Sequence, residues 1–392
     1  MGSDRLGLNY ALFYGGQFVL LGMQLPFLAG WFVAEGFAPV AIGWITGVSL
    51  IARFSIGPFV AVWADKQTDE RKPLRVVSAV FAIGALTMAV MSSKIIIALG
   101  AVMVMWSFGI LTPLTDSAVL RADRAGRLHF GQMRAVGSTF FLLTSIIGGF
   151  VLSFYGIEAV VWIMAGAAMI AFAAALALPR ERQGTHVEND VRPVAWADAP
   201  RLLRNPVFVF AIASAGLTQG AHAVYYGFSY IRWSELGIAD TSIGWLWATG
   251  VIAEIFVLVR ARNVMRKLHP ALLLAIGAIG AIIRWTLTAA EPSLALLFVL
   301  QMLHAATFAV TYLGGLEFVM RAVPARLVNT SMTIMSTLGV GAITGAATLG
   351  AGYLWEIGGP AQSYLAMSLM GVGALICAMA LGRSWDGGKV ID

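Results

Sequence analysis

The sequence predicts an all-α polytopic membrane protein, with twelve transmembrane helices in two pseudo-symmetric six-helix halves. Three observations carry that prediction. Hydrophobic residues make up 59% of the chain and charged residues 12%, where an ordinary globular domain has about 25% charged. Windows of about 20 mostly apolar residues, enough to cross a bilayer as helix, recur twelve times. The one long polar segment, Pro179 to Pro206, follows the sixth window and leaves two stretches of similar length.

The first window, 8–33, is preceded by a single basic residue, Arg5, and is too long for the core of a secretory signal, so it stays as a span. Windows at 40–63, 74–92, 95–118, 131–154 and 157–178 complete the first half. The second half reads 206–231, 241–259, 270–290, 294–319, 328–352 and 361–382. This gives an N-terminal half over 1–180, a linker rich in charge and proline over 181–205, and a C-terminal half over 206–392. Lysine and arginine concentrate in Lys66 to Arg75, Arg121 to Arg127, Arg180 to Arg204 and Arg260 to Lys267, all in alternate loops. By the positive-inside bias those loops and both termini are cytoplasmic in a plasma (inner) membrane. Trp31, Trp233, Trp285 and Trp355 fall near outer ends and read as interface anchors.

Composition also excludes several functions. The formal charge of +6 is explained by its loop placement, so nucleic acid is not the expected partner; the bilayer is. Cys377 is the only cysteine, so no intrachain disulfide can form. The sequence has no Walker motif, no metal-spaced His/Cys cluster and no Ser-centred nucleophile elbow. We therefore expect no enzyme, no metal and no cofactor, with a proton gradient as the energy source for a monomer.

Ionisable groups inside the spans are the candidate functional residues. Each costs roughly 2.5–3.5 kcal/mol at a helix centre facing lipid, so it must pair, titrate or line a wet cavity. Arg53, Glu254 and Arg284 lie at such depth. Two arginines against one carboxylate favour an anionic ligand, because guanidinium grips a carboxylate with two donors. Structural pairing inside the bundle is the alternative for each. Asp116 and Arg134 form a second candidate pair, although their place near span ends would also let them reach water. His222, Tyr225 and Tyr226 share a helical face, as do His304, Thr307 and Thr311, and Gln219 lies one turn before the first set. Histidine is the natural proton partner for Glu254. Either histidine could instead be hydrogen-bonded across helices with no proton role.

Two groups of residues carry a family resemblance. The loop AVWADKQTDERK, Ala61 to Lys72, resembles the major facilitator signature through Asp65, Lys66, Arg71 and Lys72, while Ala61, Asp69 and Glu70 depart from its glycines. Ala52 to Phe54, Pro113 to Ala118, Phe130 to Ser138, Gln219 to Ser229, Gly244 to Glu254 and Leu300 to Phe308 resemble the phenylpropionate permeases, within the wider group of lactose-permease-type symporters. The resemblance implies a major facilitator fold and a small aromatic or other monocarboxylate substrate. It also matches Asp116 and Arg134 to a sugar-site pair, and Arg284 and His304 to proton-coupling residues. The relatives' carboxylate one turn after that histidine is replaced by Thr307, and their lysine one turn before it by Gln301.

The expected function is proton-coupled import of a small organic substrate, an aromatic or small carboxylate, by alternating access. Glu254, His304, His222 and Asp116 are the expected proton-coupling groups. Arg53, Arg134, Arg284, Tyr225, Tyr226 and Gln219 are the expected substrate contacts. A sugar or nucleoside symporter, a drug/proton exporter and a non-transporting membrane sensor stay open as alternatives.

Overall fold

The computed structural model describes residues 2–69, 71–179 and 198–391. Among them every regular element is helical. The first six helices are α1 (Gly2–Ala34), α2 (Pro39–Asp65), α3 (Arg71–Val90), α4 (Lys94–Arg124), α5 (Phe130–Tyr155) and α6 (Ala159–Ala177). Four of them span their predicted windows, and α3 and α6 fall one or two residues short of theirs. Of the predicted linker, residues 181–197 lie outside the described residues, and 199–204 form a short helix, α7 (Ala199–Arg204).

The second set is less regular. One predicted span is split into α8 (Pro206–Gly220) and α9 (Ala223–Glu235). The next, α10 (Asp240–Phe256), runs into a π-helical turn at Val257–Ala261 and the short α11 (Arg262–Met265). After α12 (Pro270–Ala289), the tenth span consists of α13 (Leu294–Met302), a π segment Ala305–Val310 and α14 (Thr311–Ala322). The eleventh opens with α15 (Val328–Ile334) and a second long π segment, Met335–Ala342.

Among the described residues eleven continuous stretches are long and apolar enough to cross a membrane, and the last covers Ala325–Ser384, 60 residues. At about 1.5 Å per residue that is about three times the hydrocarbon thickness. The helix α16 (Ile343–Ser384) within it breaks at Gly359, where φ is +71°, followed by Pro360. Glycine supplies the left-handed backbone and proline cannot continue the preceding hydrogen bonds. The stretch is therefore two crossings, which makes twelve.

The chain forms two compact units, Met1–His186 with Phe228–Trp245, and Val187–Gly227 with Leu246–Asp392. In the first, α1 packs on α5 and α6, and α3 on α4 and α6. Small residues permit the close crossings: Gly16 of α1 lies against the backbone of Ala167 and Ala171, and Gly84 and Gly100 face each other's carbonyls. Phe228–Trp245 belongs there because the Tyr230 ring covers Gly30 and its hydroxyl donates to Asp240 at 2.7 Å. In the second unit α8, α12 and α16 pack together, over a core that includes Phe208, Phe318, Leu327 and Trp385. Asn205 caps α8 by accepting from the amides of Val207 and Phe208, and its amide donates to the carbonyl of Val390.

The four tryptophans expected as interface anchors are packed inside the protein. Trp31, Trp233, Trp285 and Trp355 are all buried, and the Trp31 indole donates to Glu158. A buried indole must find an acceptor or aromatic faces, and proximity to a span end did not distinguish that from an anchor.

Gly216 of α8 meets the π segment of the eleventh span so closely that an added Cβ would fall on the carbonyl of Gly339. Gly216→Ala is expected to destabilise the second unit by about 1–3 kcal/mol or more, read as a lower unfolding midpoint in detergent. An unchanged midpoint would mean that this crossing yields without cost.

Candidate substrate and proton site

The break between α8 and α9 creates the first part of the site. At Ala221 and His222 the backbone tightens, with the His222 amide bonded to the carbonyl of Gln219 at 3.1 Å. The imidazole turns back onto the carbonyls left at the end of α8. Its Nδ1 lies 3.2 Å from the oxygen of Thr218 and 3.1 Å from that of Gln219. Carbonyls only accept, so Nδ1 carries the proton and, in the neutral ring, Nε2 is the acceptor. Thr307 Oγ1 stands 3.0 Å from Nε2 and so donates to it.

Thr307 lies in the π segment that begins right after His304. Such segments shift the phase of a helix by one residue and cluster at functional sites. Here the shift separates residues that share a face in a regular helix. Thr307 points at His222, while Thr311 packs on Gly277 and bonds to the carbonyl of Ala306.

Arg284 of α12 occupies the centre. It is fully buried, with 0% exposure. Nη1 donates to His304 Nδ1 at 3.2 Å and lies 3.4 Å from Thr307 Oγ1, and Nη2 donates to Gln301 Oε1 at 2.7 Å. The guanidinium carbon stands 4.7 Å from the ring centre of Tyr225 and 4.4 Å from that of Trp285, a stabilising arrangement for a buried cation. Its Nε has no hydrogen-bond partner. Among the described residues no carboxylate lies within 4 Å of this guanidinium.

With Nη1 donating to Nδ1, the proton of a neutral His304 ring is on Nε2. That nitrogen faces Glu254 Oε2 at 3.6 Å, beyond a hydrogen bond and within reach of a small closure. Arg284, His304 and Glu254 thus stand in a row. Around them the aromatic rings form a wall: Tyr225 stacks on Trp247 at 4.5 Å, His222 on Tyr226 at 5.4 Å, and Trp285 on Tyr364 at 6.0 Å. Gln219 is at the edge, its amide 3.4 Å from the carbonyl of Phe308.

The remaining predicted residues are in the first unit. Arg134 Nη1 lies 3.6 Å from Asp116 Oδ1, so that pair exists. Tyr14 donates to the same oxygen at 2.6 Å, and Arg134 stacks over Phe18. Arg53 packs its side chain on Gly109. In the signature loop, Asp65, Lys66 and Lys72 are exposed. Arg71 grips Asp69 at 2.8 Å and, with Arg75, donates to the terminal carbonyls of α6 at Leu178, Ala175 and Leu176, the charge that a helix C-terminus favours. The Arg71 guanidinium holds the Asp69 carboxyl well below the usual carboxylate range.

Sequence reasoning missed four groups. Trp247 is seven residues before Glu254, two helical turns along the same face. Trp285 was assigned to the interface, and Gln301 was noticed only as a lysine replaced. Glu317 was passed over near a span end; it is buried and bridges Arg266 at 2.9 Å and Arg321 at 3.3 Å.

Comparison with known proteins places this geometry in context. The family model described as "MFS_1 like family" matches residues 7–366. The chain is 28% identical over 379 residues to a "probable 3-phenylpropionic acid transporter" of Escherichia coli (strain K12), covering 95% of each chain. It is 24% identical over 377 residues to a maltose permease of Geobacillus stearothermophilus, covering 94% of this chain and 93% of the relative. Among solved structures, a mutant of the nucleoside transporter NupG superposes with a TM-score of 0.80 at 20% identity, over 96% of this chain and 99% of that one. A D-xylose-proton symporter gives 0.66 at 13% identity, over 99% and 97%.

Thr307→Val keeps the side-chain volume and removes the hydroxyl that His222 Nε2 accepts from. Leaving that buried nitrogen unpaired is expected to cost about 1–3 kcal/mol, measured as a lower unfolding midpoint. A midpoint equal to wild type would show that the His222–Thr307 bond contributes nothing to the fold.

Proposed function

The chain belongs to the MFS_1 like family and is a multi-pass membrane transporter, and on that premise we propose that it is a proton-coupled symporter importing a small aromatic carboxylate. The observation that carries this reading is the Arg284 guanidinium, buried between Tyr225 and Trp285 with only neutral hydrogen-bond partners. A carboxylate fits its open donors, and the apolar body of an aromatic acid fits the ring wall. The relative described as a probable 3-phenylpropionic acid transporter supports this substrate class.

Proton coupling follows from charge balance. With Arg284 positive, Glu254 negative and both histidines neutral, the buried cluster sums to zero. A bound anion alone makes it −1, and a proton on Glu254 restores zero. In a low-dielectric interior the neutral sum is strongly favoured, so anion and proton move together. His304 stands between the two sites and links them: its Nδ1 competes with the substrate for Arg284 Nη1, and its Nε2 faces Glu254. The carrier works by alternating access in an inner membrane, with both termini cytoplasmic, without a cofactor and as a monomer. Arg53 and Arg134 belong to the other unit, and the reading does not rest on them.

A neutral sugar or nucleoside is the competing substrate, favoured by the Asp116–Arg134–Tyr14 cluster, which presents both acceptors and donors. Ligand-induced stabilisation of the purified protein separates the two readings. If sugars raise the unfolding midpoint and 3-phenylpropionate does not, the carboxylate reading fails.

In proteoliposomes, 3-phenylpropionate added outside is expected to drive proton uptake. Glu254→Gln should abolish that uptake while retaining substrate binding. Unchanged coupling in this variant would remove Glu254 as the proton carrier.

A further inference from the structure

Gln301 holds the strongest contact to Arg284, at 2.7 Å, and it is 2% exposed. The amide oxygen fills one donor of the guanidinium in the way a carboxylate oxygen would, but it brings no charge. Glutamate has the same length and shape as glutamine, so a carboxylate at this position would meet Nη2 in the same geometry and neutralise the arginine within the protein. The other groups around the guanidinium, His304, Thr307, Tyr225 and Trp285, are neutral too. The choice of amide over acid at residue 301 therefore keeps the cation without a direct countercharge.

We infer that Gln301 is the residue that sets the charge class of the substrate: it orders Arg284 without neutralising it, so that the transported molecule supplies the negative charge. The inference rests on the carboxylate reading above and adds a specificity determinant to it. It also accounts for the cost of the arrangement. A buried cation with an unpaired Nε is expensive in the empty site, and binding of an anion recovers that expense as affinity.

The experiment compares wild type, Gln301→Glu and Gln301→Met in purified protein. Each is titrated with 3-phenylpropionate and with 3-phenylpropanamide, its uncharged isostere, and the unfolding midpoint without ligand is recorded. Wild type should prefer the acid over the amide by at least about tenfold, the value of a charge-assisted hydrogen bond. In Gln301→Glu that preference should collapse to within about threefold, while the ligand-free midpoint stays equal to or above that of wild type. Gln301→Met removes the hydrogen bond without adding charge and should retain a preference for the acid. This opposite movement of stability and selectivity is not produced by a residue with a merely structural role. Retention of the full acid preference in a folded Gln301→Glu protein would overturn the inference. If Gln301→Glu does not fold, Thr307→Glu places the carboxylate beside Nη1 and the same collapse is required of it. A wild-type protein that binds neither compound, or binds both equally, would instead overturn the carboxylate reading itself.

Discussion

A fully buried guanidinium with no direct carboxylate among the described residues is the constraint on which the second unit depends. Removing a charge from water costs several kcal/mol even after relaxation, so everything around Arg284 must offset that cost. Three neutral acceptors take its hydrogens and two aromatic faces take its charge density. These groups come from three separate spans. Tyr225 is on α9, Gln301 on α13, and His304 and Thr307 stand at the π segment. A single charged side chain thereby fixes how three spans approach one another.

The irregular helices supply the positions. A continuous seventh span would direct His222 away from the carbonyls of Thr218 and Gln219, and a regular tenth span would put Thr311 on the face of His304. The split after Gly220 and the wide turn at Ala305–Val310 exchange backbone regularity for side-chain placement. The first unit solves a similar problem differently. Its Asp116–Arg134 pair is partly exposed, at 30% and 38%, so water offsets part of the charge, and its six helices run without a π segment. The two halves match in their number of spans but not in the environment each gives its arginine.

The fold was legible in the sequence because a bilayer imposes its thickness on hydropathy. All twelve windows became helices, and only the Gly359 turn obscures the count. Glu254, His304, Arg284, Tyr225 and His222 were legible because charge and imidazole are conspicuous in apolar helices. What escaped was decided by neighbours rather than by residue type. Gln301 is an ordinary polar residue until it is seen against Arg284, and the burial of Trp285 depends on packing that has no sequence period. Glu317 did not stand out because its first partner, Arg266, lies 51 residues before it, and Arg321 one helical turn after it reads as an ordinary loop-end charge. The π turns carry no composition signal, so the change of phase between His304 and Thr311 could not be anticipated.

The hydroxyl of Thr307 has one hydrogen and two oxygen or nitrogen neighbours able to take it, His222 Nε2 at 3.0 Å and the His304 carbonyl at 3.4 Å. It therefore serves one of them at a time. In the observed geometry it serves the imidazole more closely, and the His304 carbonyl is left to the backbone bonding of the π segment. One hydroxyl thereby ties a ring on the seventh span to the irregular turn of the tenth.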